Sequence, residues 1–212
     1  MKTRRYTSGA AATVAFACMC GTASADVFFG GDVGSSASQT GATYSGTIAY
    51  EFVGGSVGEL TITLTNDTSA SVGGYITAMA FRFDSADTAA WTSLISSSVA
   101  GLTNTGTVNG APFGTFSGGA GTGGQFEGGG KPSNGIAPGA SATFVWAIHA
   151  SDAASMSDLS FANAITQPSL VARFRGLADG GSDKVPATFV PAPASVALVG
   201  FAGLAASRRR RA

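Results

Sequence analysis

The chain has 212 residues, of which 44% are hydrophobic and only 11% charged, so its length suits one globular domain with short added segments. The 12 basic and 12 acidic residues cancel overall, but seven of the basic ones lie in the two ends, and residues 26–184 carry a net charge of −7. This acidic body excludes binding to nucleic acid or to anionic lipid. Both cysteines, Cys18 and Cys20, lie outside that body, which therefore has no disulfide framework.

The first 25 residues have the three zones of a secretory signal peptide. A basic start is followed by an uncharged apolar run over 10–20, and Ala23 and Ala25 supply the small residues that a signal peptidase reads. The pattern predicts export and cleavage after Ala25, so that the mature chain begins at Asp26. Signal peptidase is therefore the first expected partner.

Alternating apolar and polar residues predict strands in the body, 26–184. In 59–65, Leu60, Ile62 and Leu64 share one face and the intervening threonines share the other. In 75–83 the expected shared face is Tyr75, Thr77, Met79, Phe81 and Phe83, and in 142–149 it is Phe144, Trp146 and Ile148. Weaker alternation predicts strands at 42–53 and 170–174, whereas 84–95 is expected to form a short helix with Trp91 and Leu94 on one side.

A Gly-rich stretch over about 101–139 contains only scattered aromatic residues and is expected to be a long loop. Short alternating strands joined by Gly-rich turns are typical of all-β proteins. The predicted fold is an antiparallel β-sandwich, Ig-like or jelly-roll.

The remaining residues, 185–212, read as a linker and a sorting tail. Val190-Pro191-Ala192-Pro193 precedes an uncharged apolar run, which ends at four consecutive arginines, Arg208, Arg209, Arg210 and Arg211. This layout predicts a single C-terminal membrane helix, with the arginines as a stop on the cytoplasmic side and the body outside. The expected sequence of locations is transient anchoring in the inner membrane and then the cell surface or the extracellular space.

The tail resembles the PEP-CTERM sorting signal of Gram-negative bacteria, with Ala192 in the place of the usual glutamate. The resemblance implies a second partner, an exosortase-like membrane enzyme that recognises and cleaves the tail. It also implies an association with exopolysaccharide and biofilm matrix. Short segments of the body, including Leu60–Asn66 and Ala172–Leu177, resemble exosortase-dependent surface proteins without a described activity.

Few residues of the body suggest chemistry. The single histidine, His149, lacks a Gly-x-Ser-x-Gly partner motif and is interpreted as a strand-end residue. Asp84 with Asp87, and Asp179 with Asp183, are interpreted as turn carboxylates, the second pair being a fragment of a calcium loop; Ca²⁺ is the one candidate cofactor. Trp146 is assigned to the core.

Trp91 is the candidate for stacking on a sugar. The leading hypothesis is a non-enzymatic surface or matrix protein with a structural or adhesive role. The alternative is a carbohydrate-binding module for extracellular polysaccharide, which an exposed aromatic row on one sheet face would favour. An extracellular hydrolase is a third hypothesis, which a cleft containing His149 or two close carboxylates would favour.

Overall fold

The computed structural model describes residues 26–162 and 167–190. This part of the chain contains twelve strands and four short 3-10 turns. The strands are β1 (Val27–Gly31), β2 (Tyr44–Gly54), β3 (Val57–Asn66), β4 (Gly73–Phe81), β5 (Trp91–Ser97), β6 (Leu102–Asn104), β7 (Val108–Asn109), β8 (Thr115–Phe116), β9 (Gly118–Thr122), β10 (Ser141–His149), β11 (Leu170–Leu177) and β12 (Ser182–Val190). The 3-10 turns are Val33–Ser35, Pro132–Asn134, Ala153–Ser155 and Asp158–Phe161.

Ten of the strands form one continuous antiparallel sheet in the order β5-β10-β3-β2-β1-β12-β11-β4-β9-β6. The sheet folds over at β1 and β12, so that its two halves face each other across one core. Its end strands, β5 and β6, come close together and leave the sheet nearly closed. The remaining strands, β7 and β8, form a separate two-stranded ribbon.

Period-two patterns place the core between the two halves. Leu60, Ile62 and Leu64 of β3 are fully buried, as are Phe144, Trp146 and Ile148 of β10. The threonines between these core residues of β3 point to the opposite side and stay partly exposed. From the facing half, Phe81 packs edge-on against Trp146, with ring centroids 5.0 Å apart. The strand predictions at 59–65 and 142–149, and the core assignment of Trp146, are thus confirmed.

Strand β4 departs from simple alternation. Its pairing with β11 shifts register between Arg173 and Phe174, which inserts one extra residue on the β4 side at Thr77. As a result Ile76, rather than Thr77, joins Met79 and Phe81 in the core. The expected shared face that included Tyr75 and Thr77 is therefore wrong, because the bulge reverses the facing of the residues before it.

The helix predicted at 84–95 is also wrong. Residues 82–90 form turns, and the chain then enters β5 at Trp91. Leu94 packs against the core while Trp91 is exposed, so the two residues do not share one side. Pairing with β10 explains the outcome, because Thr92 and Leu94 lie opposite the buried Ile148 and Trp146.

The chain is all-β and antiparallel, but two parts of the predicted fold class need correction. The two layers belong to one nearly closed sheet, since β12 pairs with β1 on one side and with β11 on the other. No helix in residues 26–162 and 167–190 is long and apolar enough to cross a membrane. The predicted transmembrane helix, and the inner-membrane anchoring that depended on it, are contradicted on this finding.

Several predicted sites lie at or beyond the limits of the described residues. Ala23, Ala25 and the rest of the signal peptide precede Asp26, the first described residue. Val190 is the last residue of β12, so this strand continues past residue 184 into the segment assigned to the linker. Pro191, Ala192, Pro193 and Arg208 to Arg211 lie outside the described residues.

Candidate functional site

The outer sides of the two half-sheets differ in how they are covered. On the β4–β11 side, Ala78, Ala80 and Val171 are buried beneath Phe116 and Phe126, which come from the Gly-rich stretch. On the other side, the outward side chains of β2, β3, β10 and β5 are exposed or half-exposed. We call this second surface the open face, and its residues are Thr47, Ala49, Glu51, Glu59, Thr61, Thr63, Thr143, Val145, Ala147, His149, Trp91 and Ser93.

An aromatic stack lies at one corner of the open face. Trp91, the first residue of β5, is directly opposite His149, the last residue of β10. Their rings stack with centroids 3.8 Å apart and planes within 6° of parallel. Trp91 nevertheless keeps 55% of its surface exposed. The cross-strand contact holds the indole in one orientation and leaves much of it free to contact a ligand.

The stack defines what His149 does in this structure. Within the described residues, the imidazole of His149 forms no hydrogen bond or ion pair. It stacks on the Trp91 ring. A catalytic triad needs the base to be hydrogen-bonded to a nucleophile and to an orienting carboxylate. The arrangement of His149 is that of a support for Trp91.

Two carboxylates lie next to the aromatic corner. Glu51 of β2 and Glu59 of β3 are directly opposite each other in register, and both are exposed. Glu59 is in turn opposite Ala147 of β10, one outward position along that strand from His149. Like charges placed directly opposite each other destabilise a sheet. This pair therefore does not contribute to the stability of the fold.

Hydroxyl groups occupy the rest of the open face. The Oγ1 atoms of Thr63 and Thr143 are 3.2 Å apart across β3 and β10, and Thr47 lies opposite Thr63 on the other side. A hydroxyl both donates and accepts hydrogen bonds. With strands about 4.8 Å apart, the four strands span about 14 Å from β5 to β2. The open face thus combines one flat aromatic ring, two carboxylates and a row of hydroxyls.

Basic side chains hold the Gly-rich stretch on the opposite side of the molecule. Glu127 forms ion pairs with Arg173 and with Lys184, and Arg175 donates to the carbonyl of Gly128. Burial lowers the pKa of the Arg173 guanidinium, which still carries its charge at neutral pH. These groups therefore contribute their charge to the covered side of the sheet.

Arg82 also holds part of the Gly-rich stretch. It donates to the carbonyl of Phe113 and lies over the Phe116 ring, 4.2 Å from its centroid. None of the lysines and arginines of the described chain belongs to the open face.

Three of the four aspartates singled out by the sequence accept hydrogen bonds from backbone N–H groups. Asp87 accepts from the backbone N–H groups of Ala89 and Ser151, which lower its pKa. Asp179 accepts from the N–H of Gly181, while Asp183 is buried and holds a distant loop. The described residues contain no group of three or more histidine, cysteine and acidic side chains suited to a metal ion.

The sequence singles out Trp91 but not the rest of the open face. Its pattern predicts a helix at Trp91, gives His149 no neighbour and does not mark Glu51 and Glu59 as site residues. Alternation of Trp91, Ser93 and Ile95 with Thr92 and Leu94 is the signal that favours a strand at this position. The meeting of Trp91 with His149 depends on strand register, which one sequence does not encode locally.

No protein-family model and no curated protein matches this chain. A biomass-sensing module from an RsgI-like protein of Clostridium thermocellum, described as resembling the family 3 carbohydrate-binding module of the cellulosome, is similar in structure. The similarity has a TM-score of 0.34 and 12% sequence identity, and it covers 59% of this chain and 89% of that chain.

Proposed function

We propose that this protein is a polysaccharide-binding module and that the open face is its binding surface. The observation that carries the proposal is the exposed Trp91 ring, fixed by its stack on His149 at the edge of a sheet face of hydroxyls and carboxylates. A sugar ring has apolar C–H faces and a polar rim of hydroxyls. An aromatic ring complements the apolar faces of the sugar, and Thr and Glu oxygens complement its hydroxyls.

The proposed activity is binding of the polysaccharide without catalysis. Glu51 and Glu59 lie side by side on one face, whereas a glycosidase places its two carboxylates on opposite sides of the scissile bond within a cleft. His149 stacks on Trp91 instead of activating a nucleophile. Both features support the non-enzymatic hypothesis.

The terminal segments support a proposal about the export and proteolytic processing of the protein. We propose that signal peptidase removes residues 1–25 and that an exosortase-like enzyme recognises the variant motif Val190-Pro191-Ala192-Pro193. Both assignments rest on sequence patterns. Exopolysaccharide, which the PEP-CTERM resemblance implies, is a ligand class compatible with the open face.

The test is retardation of the full chain by soluble polysaccharides in affinity gels, with a panel that includes neutral glucans, galactans and mannans. Trp91→Ala should weaken binding about 30-fold, the loss typical of a central aromatic contact worth about 2 kcal/mol. Trp91→Phe should lose less, because a smaller aromatic plate remains. His149→Ala should also weaken binding, by freeing the Trp91 ring.

Leu159→Ala is the matched control, since Leu159 is 55% exposed, as Trp91 is, but belongs to the 3-10 turn Asp158–Phe161 and not to the open face. This variant should bind like the unsubstituted chain. Equal retardation of Trp91→Ala and the unsubstituted chain would overturn the proposal, and so would failure of the unsubstituted chain to bind any member of the panel.

A further inference from the structure

The charge of the open face is one-sided. Its two ionisable carboxylates, Glu51 and Glu59, form no ion pair with any described residue. The cations Arg173 and Lys184 are paired with Glu127 on the covered side of the sheet. A ligand on the open face therefore meets negative charge that no lysine or arginine of the described residues compensates.

We propose that the open face selects polysaccharides without acidic groups and excludes polyanionic ones such as polyuronates. This inference rests on the proposed function and specifies its ligand class. It follows from the placement of Glu51 and Glu59 on the same face as the Trp91–His149 stack, because a chain bound across the four strands of this face meets both carboxylates.

Hydrogen bonding favours a neutral chain. An ionised carboxylate only accepts hydrogen bonds, and a sugar hydroxyl donates them readily. Glu51 and Glu59 can therefore each receive a hydroxyl of a neutral glycan, with the hydroxyls of Thr61 and Thr63 alongside to donate or accept. A uronate carboxylate offers no donor and adds a like charge.

Repulsion disfavours an acidic chain. Strand spacing places Glu59 about 12 Å and Glu51 about 16 Å from Trp91 along the face, so an acidic chain bound across this face lies close to both carboxylates. Like charges that meet at a binding surface oppose association strongly, and salt screens the effect when the charges are exposed. The selectivity should therefore be large at low salt and small at high salt.

Two derivatives of the same polysaccharide distinguish the effect of ligand charge from that of ligand shape. Hydroxyethyl cellulose is neutral, and carboxymethyl cellulose carries acidic groups on the same glucan chain. At 20 mM salt the full chain should bind the neutral polymer at least tenfold more tightly in affinity gels or by calorimetry. At 500 mM salt the ratio should fall to about threefold or less, because the Debye length shrinks to a few ångströms.

The double variant Glu51→Gln and Glu59→Gln should bind both polymers within about threefold of each other at low salt. Its matched control is Asp67→Asn with Asp84→Asn, which removes the same two charges from positions outside the open face. The control should retain the full preference for the neutral polymer.

The outcomes separate this inference from the proposed function. Equal binding of the two polymers by the unsubstituted chain at low salt would overturn the selectivity while leaving polysaccharide binding intact. A preference that persists in the Glu51→Gln, Glu59→Gln variant, or that vanishes in the control pair, would also overturn it. Failure of the unsubstituted chain to bind these polymers and every member of the polysaccharide panel would remove the proposed function together with its ligand class.

Discussion

Asp183 is the buried carboxylate on which one end of the fold depends. It is only 2% exposed, and its Oδ1 accepts from the backbone N–H of Ser38 at 2.8 Å. Its Oδ2 accepts from both the N–H and the hydroxyl of Thr40, at 3.1 and 2.8 Å. Burial by itself would raise the pKa of Asp183, but these hydrogen bonds outweigh it and the pKa lies below its usual range.

The depressed pKa predicts how acid affects the fold. A carboxyl that is more acidic when folded stabilises the protein above its unfolded pKa of about 3.9, and this contribution disappears as the pH falls through the folded pKa. Asp183→Ala should cost about 3 kcal/mol at pH 7, because it leaves the N–H groups of Ser38 and Thr40 without their acceptor. Urea unfolding from pH 7 down to pH 2 measures both effects.

Asp183→Asn should show a flatter dependence of stability on pH below about 5 than the unsubstituted chain. Asp67→Asn, an exposed change, should leave that dependence unaltered. Parallel loss of stability on acidification in the unsubstituted chain and in Asp183→Asn would show that the carboxylate is not the responsible group.

Single residues were predictable where local pattern decides their environment. Trp146 was assigned to the core because it alternates with Phe144 and Ile148, and it is fully buried. Asp183 was interpreted as a turn carboxylate with Asp179, but its main partners, Ser38 and Thr40, lie near the other end of the body. A contact of that kind leaves no mark in the residues next to it.

Among the elements, the Gly-rich stretch contributes most beyond its expected role as a loop. It supplies β6 to β9 and inserts Phe116 and Phe126 over Ala78, Ala80 and Val171. Close approach of backbones explains part of its composition. A Cβ on Gly121, for example, would come within 2.2 Å of the carbonyl oxygen of Gln125, so only glycine fits there.

Because its phenylalanines cover β4 and β11, the Gly-rich stretch is expected to stabilise the fold. Phe116→Ala should lower the free energy of unfolding by about 3–5 kcal/mol, since Phe116 is fully buried and its removal leaves a cavity over β4. Phe52→Ala, at an exposed phenylalanine of β2, should change stability by about 0.5 kcal/mol or less. Guanidinium unfolding of both variants makes the comparison, and similar midpoints would show that the stretch is not part of the core.

Among the strands, the sequence is most informative for those that have one solvent-exposed face. Strands β3 and β10 were predicted because their outer sides belong to the open face and carry Thr, Ala or His between apolar residues. Strand β4 was harder, since it is covered on both sides and six consecutive residues from Ile76 to Phe81 are buried. Without alternation, nothing in its sequence marks the bulge at Thr77.

For the whole molecule, the absence of cysteine from residues 26–190 gives a direct prediction. The mature chain should begin at Asp26, as mass spectrometry of its N-terminal peptide will show, and should unfold at the same temperature with or without reductant. Its circular dichroism should be that of strands. Retention of Met1 would contradict the signal assignment, and a reductant-dependent midpoint would contradict a mature chain that lacks Cys18 and Cys20.

The closure of the sheet was the feature least accessible from sequence. Strand β12 contains Pro186, which lacks a backbone N–H and argues locally against a strand with neighbours on both sides. The structure accommodates Pro186 opposite Val171, where its carbonyl still accepts from the N–H of Asp32. The sequence therefore predicted the strand content of the halves but not the strand that joins them.

The central position of β12 constrains proteolytic maturation. A cut that removed this strand would separate the two half-sheets and expose the edges of β1 and β11, a known route to aggregation. A cut after Val190 leaves every pairing of the sheet intact, including the one between Phe28 and Val190. An enzyme that cleaves this protein at its Pro-rich motif therefore has little choice of position. The peptide bond that follows Val190 is the first that it can cut without removing a paired residue of the sheet.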